Sequence, residues 1–365
     1  MNDTNKKGLS FPVFKTKIAG DTLKFSLEDP VERRKYFDHK AGPEIEKLRE
    51  YLRTGTFVGF LLGKKNSGKG TYSKLFMEAV GKEHVAHISV GDIVRSVHGD
   101  LGDEQKKKDL IVFLTARYRG FIPVDQIFDI IEGRDTKTLL PTEVILALVE
   151  REISRLGRKA VFVDGFPREM SQISAALYFR SIMGYRDDPD FFAFIDVPNT
   201  VIDERIKTRV ICPICNTPRN IRLLRTKEIG YDQDKKEAFL ICDTPTCAGF
   251  GTARMVSKEG DELGIEAIRD RIEADDKIMR ILLDLQGAPK VLLRNCVPVT
   301  EATDAIDEYE MTPGYRYEWN DADKKVDVIE EPWVINDDDG VPSYSLLPAA
   351  VVVSFIKQIV SVLGL

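Results

Sequence analysis

Three short runs in this 365-residue chain carry residues suited to handling phosphate. The first, Gly63-Lys64-Lys65-Asn66-Ser67-Gly68-Lys69-Gly70-Thr71, has the spacing G-x-x-x-x-G-K. It follows an apolar run and opens an amphipathic one. Glycines in such a loop let backbone N–H groups wrap phosphate oxygens, the lysine adds a point charge, and the helix N-terminus favours anions. Gly63, Asn66, Ser67, Gly68, Lys69, Gly70 and Thr71 are therefore expected to hold a phosphate donor, with Lys69 facing solvent when the site is empty. The second run, Val161-Phe162-Val163-Asp164-Gly165-Phe166-Pro167-Arg168, places an acid at the end of an apolar strand. Beside a phosphate loop, Asp164 suits Mg²⁺ held through water and Arg168 suits a fork onto phosphate. The third run, Ile88-Ser89-Val90-Gly91-Asp92-Ile93-Val94-Arg95, again reads strand, turn, helix. Phosphoryl transfer needs alignment and charge neutralisation more than covalent help, and no catalytic cysteine or histidine stands among these runs.

Four of the five cysteines form two close pairs, Cys212–Cys215 and Cys242–Cys247, separated by 26 residues. That spacing suits a zinc ribbon, with four thiolates around one tetrahedral Zn²⁺; disulfides and free thiols are the alternatives. Cys296 stands alone and reads as a buried strand residue. Arg219, Arg222, Arg225 and Lys227 follow the first pair and allow a ribbon that reads nucleic acid. The overall balance of 53 basic and 59 acidic residues, net −6, runs against that.

These residues need a scaffold. Apolar runs at Phe57–Leu62, Val85–Ser89, Ala160–Val163, Phe191–Asp196 and Val291–Arg294 read as strands. Helical patterns starting near Gly70, Thr142, Ser171, Asn199 and Leu263 separate or flank them, which predicts an α/β fold with a parallel sheet wrapped by helices. Two blocks interrupt the alternation. Asp100 to Lys137 contains two predicted helices, one of them the amphipathic run Val124–Ile131. Val210 to Val256 contains the cysteine pairs and little apolar periodicity. Ahead of the sheet, Phe11–Leu27 suggests a hairpin. A helix opened by Gly42-Pro43 follows, with Ile45, Leu48 and Leu52 on one face and Gly55 as its stop. After Pro298, Tyr315–Trp319 and Val326–Ile329 suggest a β-meander. From Ala349 to Leu365 the polar residues Ser354, Lys357, Gln358 and Ser361 make one narrow stripe, the mark of a helix buried on most of its circumference. That helix is too short to span a bilayer. The polar start, Met1–Lys7, has no signal-peptide run, so a cytoplasmic protein without membrane contact is expected.

In order and interval, the three phosphate runs resemble the adenylate kinase family of nucleoside monophosphate kinases, over about Thr56 to Thr300 and the terminal helix. Lys65 and Asn66 stand where that family has Pro and Gly; Asn tolerates the positive φ such a loop needs. The resemblance implies a P-loop three-layer sandwich with a central parallel sheet, a helical acceptor-binding insertion (92–158) and a zinc-ribbon lid (210–256). An N-terminal extension (1–55), a β-rich C-terminal insertion (301–348) and a terminal core helix (349–365) flank the kinase core (56–300). It implies transfer of the γ-phosphate of MgATP to a nucleoside monophosphate, AMP before UMP or CMP, by a monomer. Lys69, Arg168, Arg209, Arg254 and Arg271 would be catalytic, with Arg269 competing for the place of Arg271. Asp164, Arg205 and Arg209 would bind the donor with the loop. Val90, Arg95, Gly165, Phe166, Arg168 and Gln172 would bind the acceptor. Some members carry a zinc ribbon in the lid, and here Cys212, Cys215, Cys242 and Cys247 would hold a structural Zn²⁺.

Overall fold

Apolar side chains on both faces are what a parallel sheet covered by helices requires. In the computed structural model, which describes residues 9, 11–132, 140–184 and 188–365, the expected runs form such a sheet. Its first four strands are β1 (Val58–Gly63), β2 (Val85–Ser89), β3 (Ala160–Asp164) and β4 (Asp190–Asp196). The cysteine block then adds short strands β5 (Arg209–Ile211), β6 (Pro218–Asn220), β7 (Ile229–Asp232), β8 (Glu237–Leu240) and β9 (Val256–Ser257). Strand β10 (Lys290–Arg294) completes the sheet in the order β10-β4-β1-β3-β2, all parallel. Every residue of β1 is buried.

Helices cover both faces. One carries α1 (Pro30–Tyr51), α2 (Lys69–Val80), α9 (Asn199–Lys207), α11 (Val299–Ala305) and α12 (Pro348–Leu363). The other carries α3 (Val90–Asp100), α4 (Glu104–Arg117), α5 (Val124–Glu132), α6 (Thr142–Leu156), α7 (Ile173–Leu177), α8 (Phe179–Ile182) and α10 (Arg269–Asp284). The block after Asp100 thus adds to the core: Leu110, Leu114, Ile127, Phe128 and Ile131 are buried in it. Its residues 133–137, like Met1–Lys7, lie outside the described residues.

The leader departs from expectation. Phe11–Leu27 forms no hairpin; Thr16 and Lys17 N–H both donate to Ala305 O, at 2.9 and 3.1 Å. A carbonyl at the end of α11 takes the donors that a partner strand would have used. Helix α1 begins at Pro30, not Gly42, because Asp29 accepts from the N–H groups of Val31 and Glu32 while Pro30 needs no partner at the first position. Ahead of Pro43 the helix kinks at Ala41 rather than starting there. Ile45, Leu48 and Leu52 are buried. The helix ends at Tyr51, four residues short of Gly55.

After β11 (Cys296–Pro298), the tail builds two separate antiparallel units instead of one meander. Strands β12 (Pro313–Asn320) and β13 (Lys325–Pro332) pair only with each other. Strands β14 (Val334–Asn336) and β15 (Pro342–Ser345) join β11. Leader and tail share a buried polar network. Glu310, fully buried, accepts from Tyr36 Oη (2.5 Å), Thr16 Oγ1 (2.6 Å) and Asp307 N–H (2.8 Å). Asp307 in turn pairs with the buried Lys40 at 2.7 Å.

The polar stripe of α12 does more than face water. Gln358 Oε1 accepts from Leu292 N–H and its Nε2 donates to Leu292 O, both at 2.8 Å. One side-chain amide therefore completes the ladder of edge strand β10. Gln358→Leu should leave both groups of Leu292 unmatched and cost about 1–3 kcal/mol. Urea unfolding that shows no loss of stability would contradict this pairing.

Candidate functional site

The Gly63–Thr71 loop joins β1 to α2, and its closure depends on backbone that few residues adopt. Asn66 has φ +66° and Gly68 φ +97°. A Cβ at Gly63 would lie 2.6 Å from Ser67 Oγ, which is buried without a hydrogen-bond partner. Lys69 does not face solvent as expected. Its ammonium donates to Gly63 O (2.8 Å) and Lys64 O (3.1 Å) and lies 4.0 Å from Asp164 Oδ1 at the end of β3. Burial pulls its pKa down, while Asp164 and Asp275 pull it up less strongly. The neighbouring Lys64 turns the other way: its buried side chain pairs with Asp338 at 2.7 Å. Asp338 also accepts from Asn199 N–H at 2.7 Å, so the tail's Asp337–Gly340 turn braces this loop from behind.

The turn after β3 and the start of α3 bring two guanidinium groups near each other. A Cβ at Gly91 would meet Arg168 Nη2 and Arg95 Nη1, each at 3.4 Å, and one at Gly165 would meet Arg168 Nη2 at 2.6 Å. At Gly165, whose φ is +84°, a side chain would be strained as well as crowded against Arg168. Arg95 pairs with Asp92. Val90 and Phe166 are buried beneath them. Gln172 is fully buried; its Oε1 accepts from Arg168 N–H at 2.8 Å, and its Nε2 has no partner among the described residues.

The arginines from the cysteine block and α10 divide. Arg271 lines the same pocket as Lys69 and pairs with Asp275 at 2.7 Å. Burial raises the Asp275 carboxyl above its ordinary value despite Arg271 and Lys69 beside it. Arg269 instead pairs with Glu266 at the surface. Arg209 is held by Asp261 through two contacts of 2.6 and 2.7 Å. Arg205 lies against Tyr72 Oη, which also receives Asn295 Nδ2 at 3.0 Å. Arg254 is placed elsewhere: it pairs with Asp232 at 2.7 Å and sits 4.2 Å over the Phe239 ring, inside the β7–β8 hairpin. Lys258, just after β9, is one of three cations whose charge weighs on Lys65 of the loop. Lys65 is held below the ordinary lysine range by burial and then by Arg271, Lys258 and Arg209. Sequence reasoning noted Lys65 only as a departure in the loop and did not single out Lys258, Asp275 or Asp261. The available signal for Lys258 was its place at the exit of the cysteine block, matching Arg209 at the entrance.

The four cysteine sulfurs lie within 4.8 Å of one another. Cys212 and Cys247 are 3.8 Å apart, as are Cys215 and Cys242, so each contact crosses between pairs. Zinc–sulfur bonds of ~2.3 Å in a tetrahedron give edges of about 3.8 Å, while a disulfide needs ~2 Å. The cluster thus fits a structural Zn²⁺ and not a disulfide. The three arginines after the first pair are engaged within the protein. Arg219 pairs with Asp243 (2.7 Å), Arg222 with Glu204 (3.0 Å), and Arg225 lies 5.2 Å over Tyr315.

Comparison with known proteins agrees with this geometry. An adenylate kinase of Thermotoga neapolitana is 27% identical over 227 residues, 57% of this chain and 91% of that protein. The adenylate kinase of Thermotoga petrophila is 30% identical over 176 residues, covering 48% of this chain and 68% of the relative. The chain belongs to the adenylate kinase family. A mitochondrial GTP:AMP phosphotransferase of Drosophila melanogaster is 28% identical over 182 residues, 49% of this chain and 68% of its own length. No family model matches. Adenylate kinase ancestry gives this chain a phosphotransferase function of the nucleoside monophosphate kinase kind. Like a kinase of that family it has a parallel α/β sheet with helical insertions, to which it adds a buried four-cysteine cluster. Among the described residues, no helix is long and apolar enough to cross a membrane.

Proposed function

We propose that the protein transfers the γ-phosphate of MgATP to AMP, giving two ADP. The Gly63–Thr71 loop cradles the donor phosphates, with Lys69 on the transferring group and Arg205 against the adenine. Arg209, Arg271 and Lys258, the last in place of Arg254, close over the phosphates from the lid side. Arg95 and Arg168 hold the acceptor phosphate in the space that Gly91 and Gly165 leave open. Asp164 orients the hydration shell of the Mg²⁺ that accompanies ATP, an ion that neutralises charge between the phosphates. Cys212, Cys215, Cys242 and Cys247 hold Zn²⁺ in a structural role, with no position left for substrate. The chemistry then rests on alignment and on preorganised cations in a site from which the closed lid excludes water. In this reading residues 210–256 are the lid, and 92–158 cover the acceptor.

The observation that carries AMP is Gln172. Arg168 N–H occupies its oxygen, so the buried amide presents its N–H₂ donor to the acceptor base. Adenine N1 accepts from such a donor, whereas guanine and uracil could accept only through O6 or through O4 or O2, beside an N1–H or N3–H that this donor leaves unmatched. Cytosine N3 also accepts, which makes CMP the runner-up. In an ATP-dependent screen, AMP should turn over faster than CMP, and both faster than UMP and GMP. Gln172→Ala should erode that selectivity by ~1–3 kcal/mol while leaving the donor KM nearly unchanged. Faster turnover of UMP or GMP by the wild type would sink the AMP assignment. The nucleic-acid reading loses its support, because the arginines it needs are paired within the protein.

A further inference from the structure

Two departures from a simple kinase plan touch each other. One is the long interval between the cysteine pairs. Part of it, Asn220 to Glu228, leaves the ribbon and runs over the body of the protein. Ile221 N–H donates to Thr208 O at 3.0 Å, Asn220 Nδ2 to Arg205 O at 3.3 Å, and Leu223 is buried in the main core. The other departure is the β12–β13 hairpin, which joins no larger sheet among the described residues. A lone two-stranded hairpin is marginal in water and needs something to pack on.

Strand β12 meets that interval with residues at alternate positions, which all lie on one face. Tyr315 N–H donates to Arg222 O at 2.7 Å, and the Tyr315 ring lies under Arg225. Tyr317 Oη donates to Ile221 O at 2.6 Å, and its ring packs against the small cluster around the cysteines. Trp319 stacks on Tyr231 of β7, with ring centroids 4.7 Å apart and planes 18° from parallel. The held residues lead directly to the site. Asn220 ends β6, and β6 pairs with β5 in the register Arg209↔Asn220 and Ile211↔Pro218. Strand β5 also pairs with β9, next to Lys258. Fixing residues 220–222 therefore fixes the strand that begins with Arg209.

We propose that the β12–β13 hairpin is a latch on the root of the cysteine-ribbon lid, with Tyr317 and Trp319 as positioning residues for the donor site. The proposal rests on the kinase reading for its functional half alone. A lid hinged at two short strands would have to be ordered each time the donor binds. A latched root holds the strands that carry Arg209 and lead to Lys258, so less must be ordered when the lid closes on the donor.

The test uses Trp319→Ala, Trp319→Phe and Tyr317→Phe in the full zinc-loaded chain. Amide exchange in the empty protein should speed up over residues 220–231 in Trp319→Ala and return toward wild type in Trp319→Phe. Titration with the magnesium complex of a non-hydrolysable ATP analogue should show roughly five- to tenfold weaker binding in Trp319→Ala. Tyr317→Phe, which removes only one hydroxyl, should give a smaller loss in the same direction. In kinetics, the donor KM should rise with kcat and the acceptor KM nearly unchanged. Unchanged exchange over 220–231 would overturn the latch. Faster exchange with unchanged analogue affinity would overturn its positioning role. A wild type that binds the analogue but phosphorylates no nucleoside monophosphate would defeat the kinase reading and leave both of these measurements valid.

Discussion

Lys69→Met is expected to lower kcat by at least about 10²–10³-fold, the loss typical of removing one preorganised donor to transition-state charge. The reason is where the ammonium is held. Two carbonyls of its own loop and the nearby Asp164 fix it at the mouth of the loop, so its charge needs no reorganisation as the phosphoryl oxygens gain theirs. Those same bonds make the lysine part of the empty loop's structure. The substitution should therefore also cost stability, on the order of 1–2 kcal/mol for two lost hydrogen bonds. Lys69→Arg separates the two effects, because it keeps the charge on a different geometry. Single-turnover rates at saturating MgATP are the decisive readout. A methionine variant that transfers phosphate at near wild-type rate would remove the basis of the kinase assignment.

Loss of the metal should be the other large effect. The cluster around the cysteines contains only Val210, Leu240 and Met255 as fully buried apolar residues besides the cysteines themselves. So small a core does not fold a ribbon, and metal binding worth ~10–16 kcal/mol in comparable small domains must supply the difference. Cys212→Ser with Cys215→Ser, or prolonged chelation, should melt the tip of the lid and abolish most turnover. The parallel sheet should keep its cooperative unfolding. Elemental analysis should find one zinc per chain in wild type and none in the double variant. Wild-type protein purified under reducing conditions without stoichiometric metal would refute the zinc reading, while the phosphate loop and acceptor arginines would be unaffected.

The sheet was legible because its central strands are apolar on both faces, as in β1 throughout and in β4 from Phe191 to Ile195. The turns after β1, β2 and β3 were legible because glycine, lysine and arginine occur there at fixed intervals set by local backbone. What escaped was set by partners distant in sequence. Nothing near Phe11–Leu27 announces that Ala305 will take its hydrogen bonds. Nothing local to Glu310 announces Tyr36 or Thr16. Arg254 and Lys258 were indistinguishable as charges along the chain. Asp232 and the Phe239 ring decide between them by capturing Arg254. The start of α1 is a different case, since Asp29-Pro30 is a local signal that the more conspicuous Gly42-Pro43 overshadowed.

The position of α12 also bears on how the chain must be made. Phe355 on this helix packs against Phe76 and Phe162 at 5.4 and 5.2 Å, and Gln358 closes the edge of β10. During translation, the sheet-forming residues from Val58 to Arg294 leave the ribosome well before residues 348–363 exist. Until then the nascent chain carries an uncovered aromatic face and an open strand edge, the two features that most invite association with other chains. Completion of this face therefore waits on the synthesis and docking of α12. A stalled chain ending before Pro348 should remain protease-sensitive across the same sheet that resists digestion once α12 has docked.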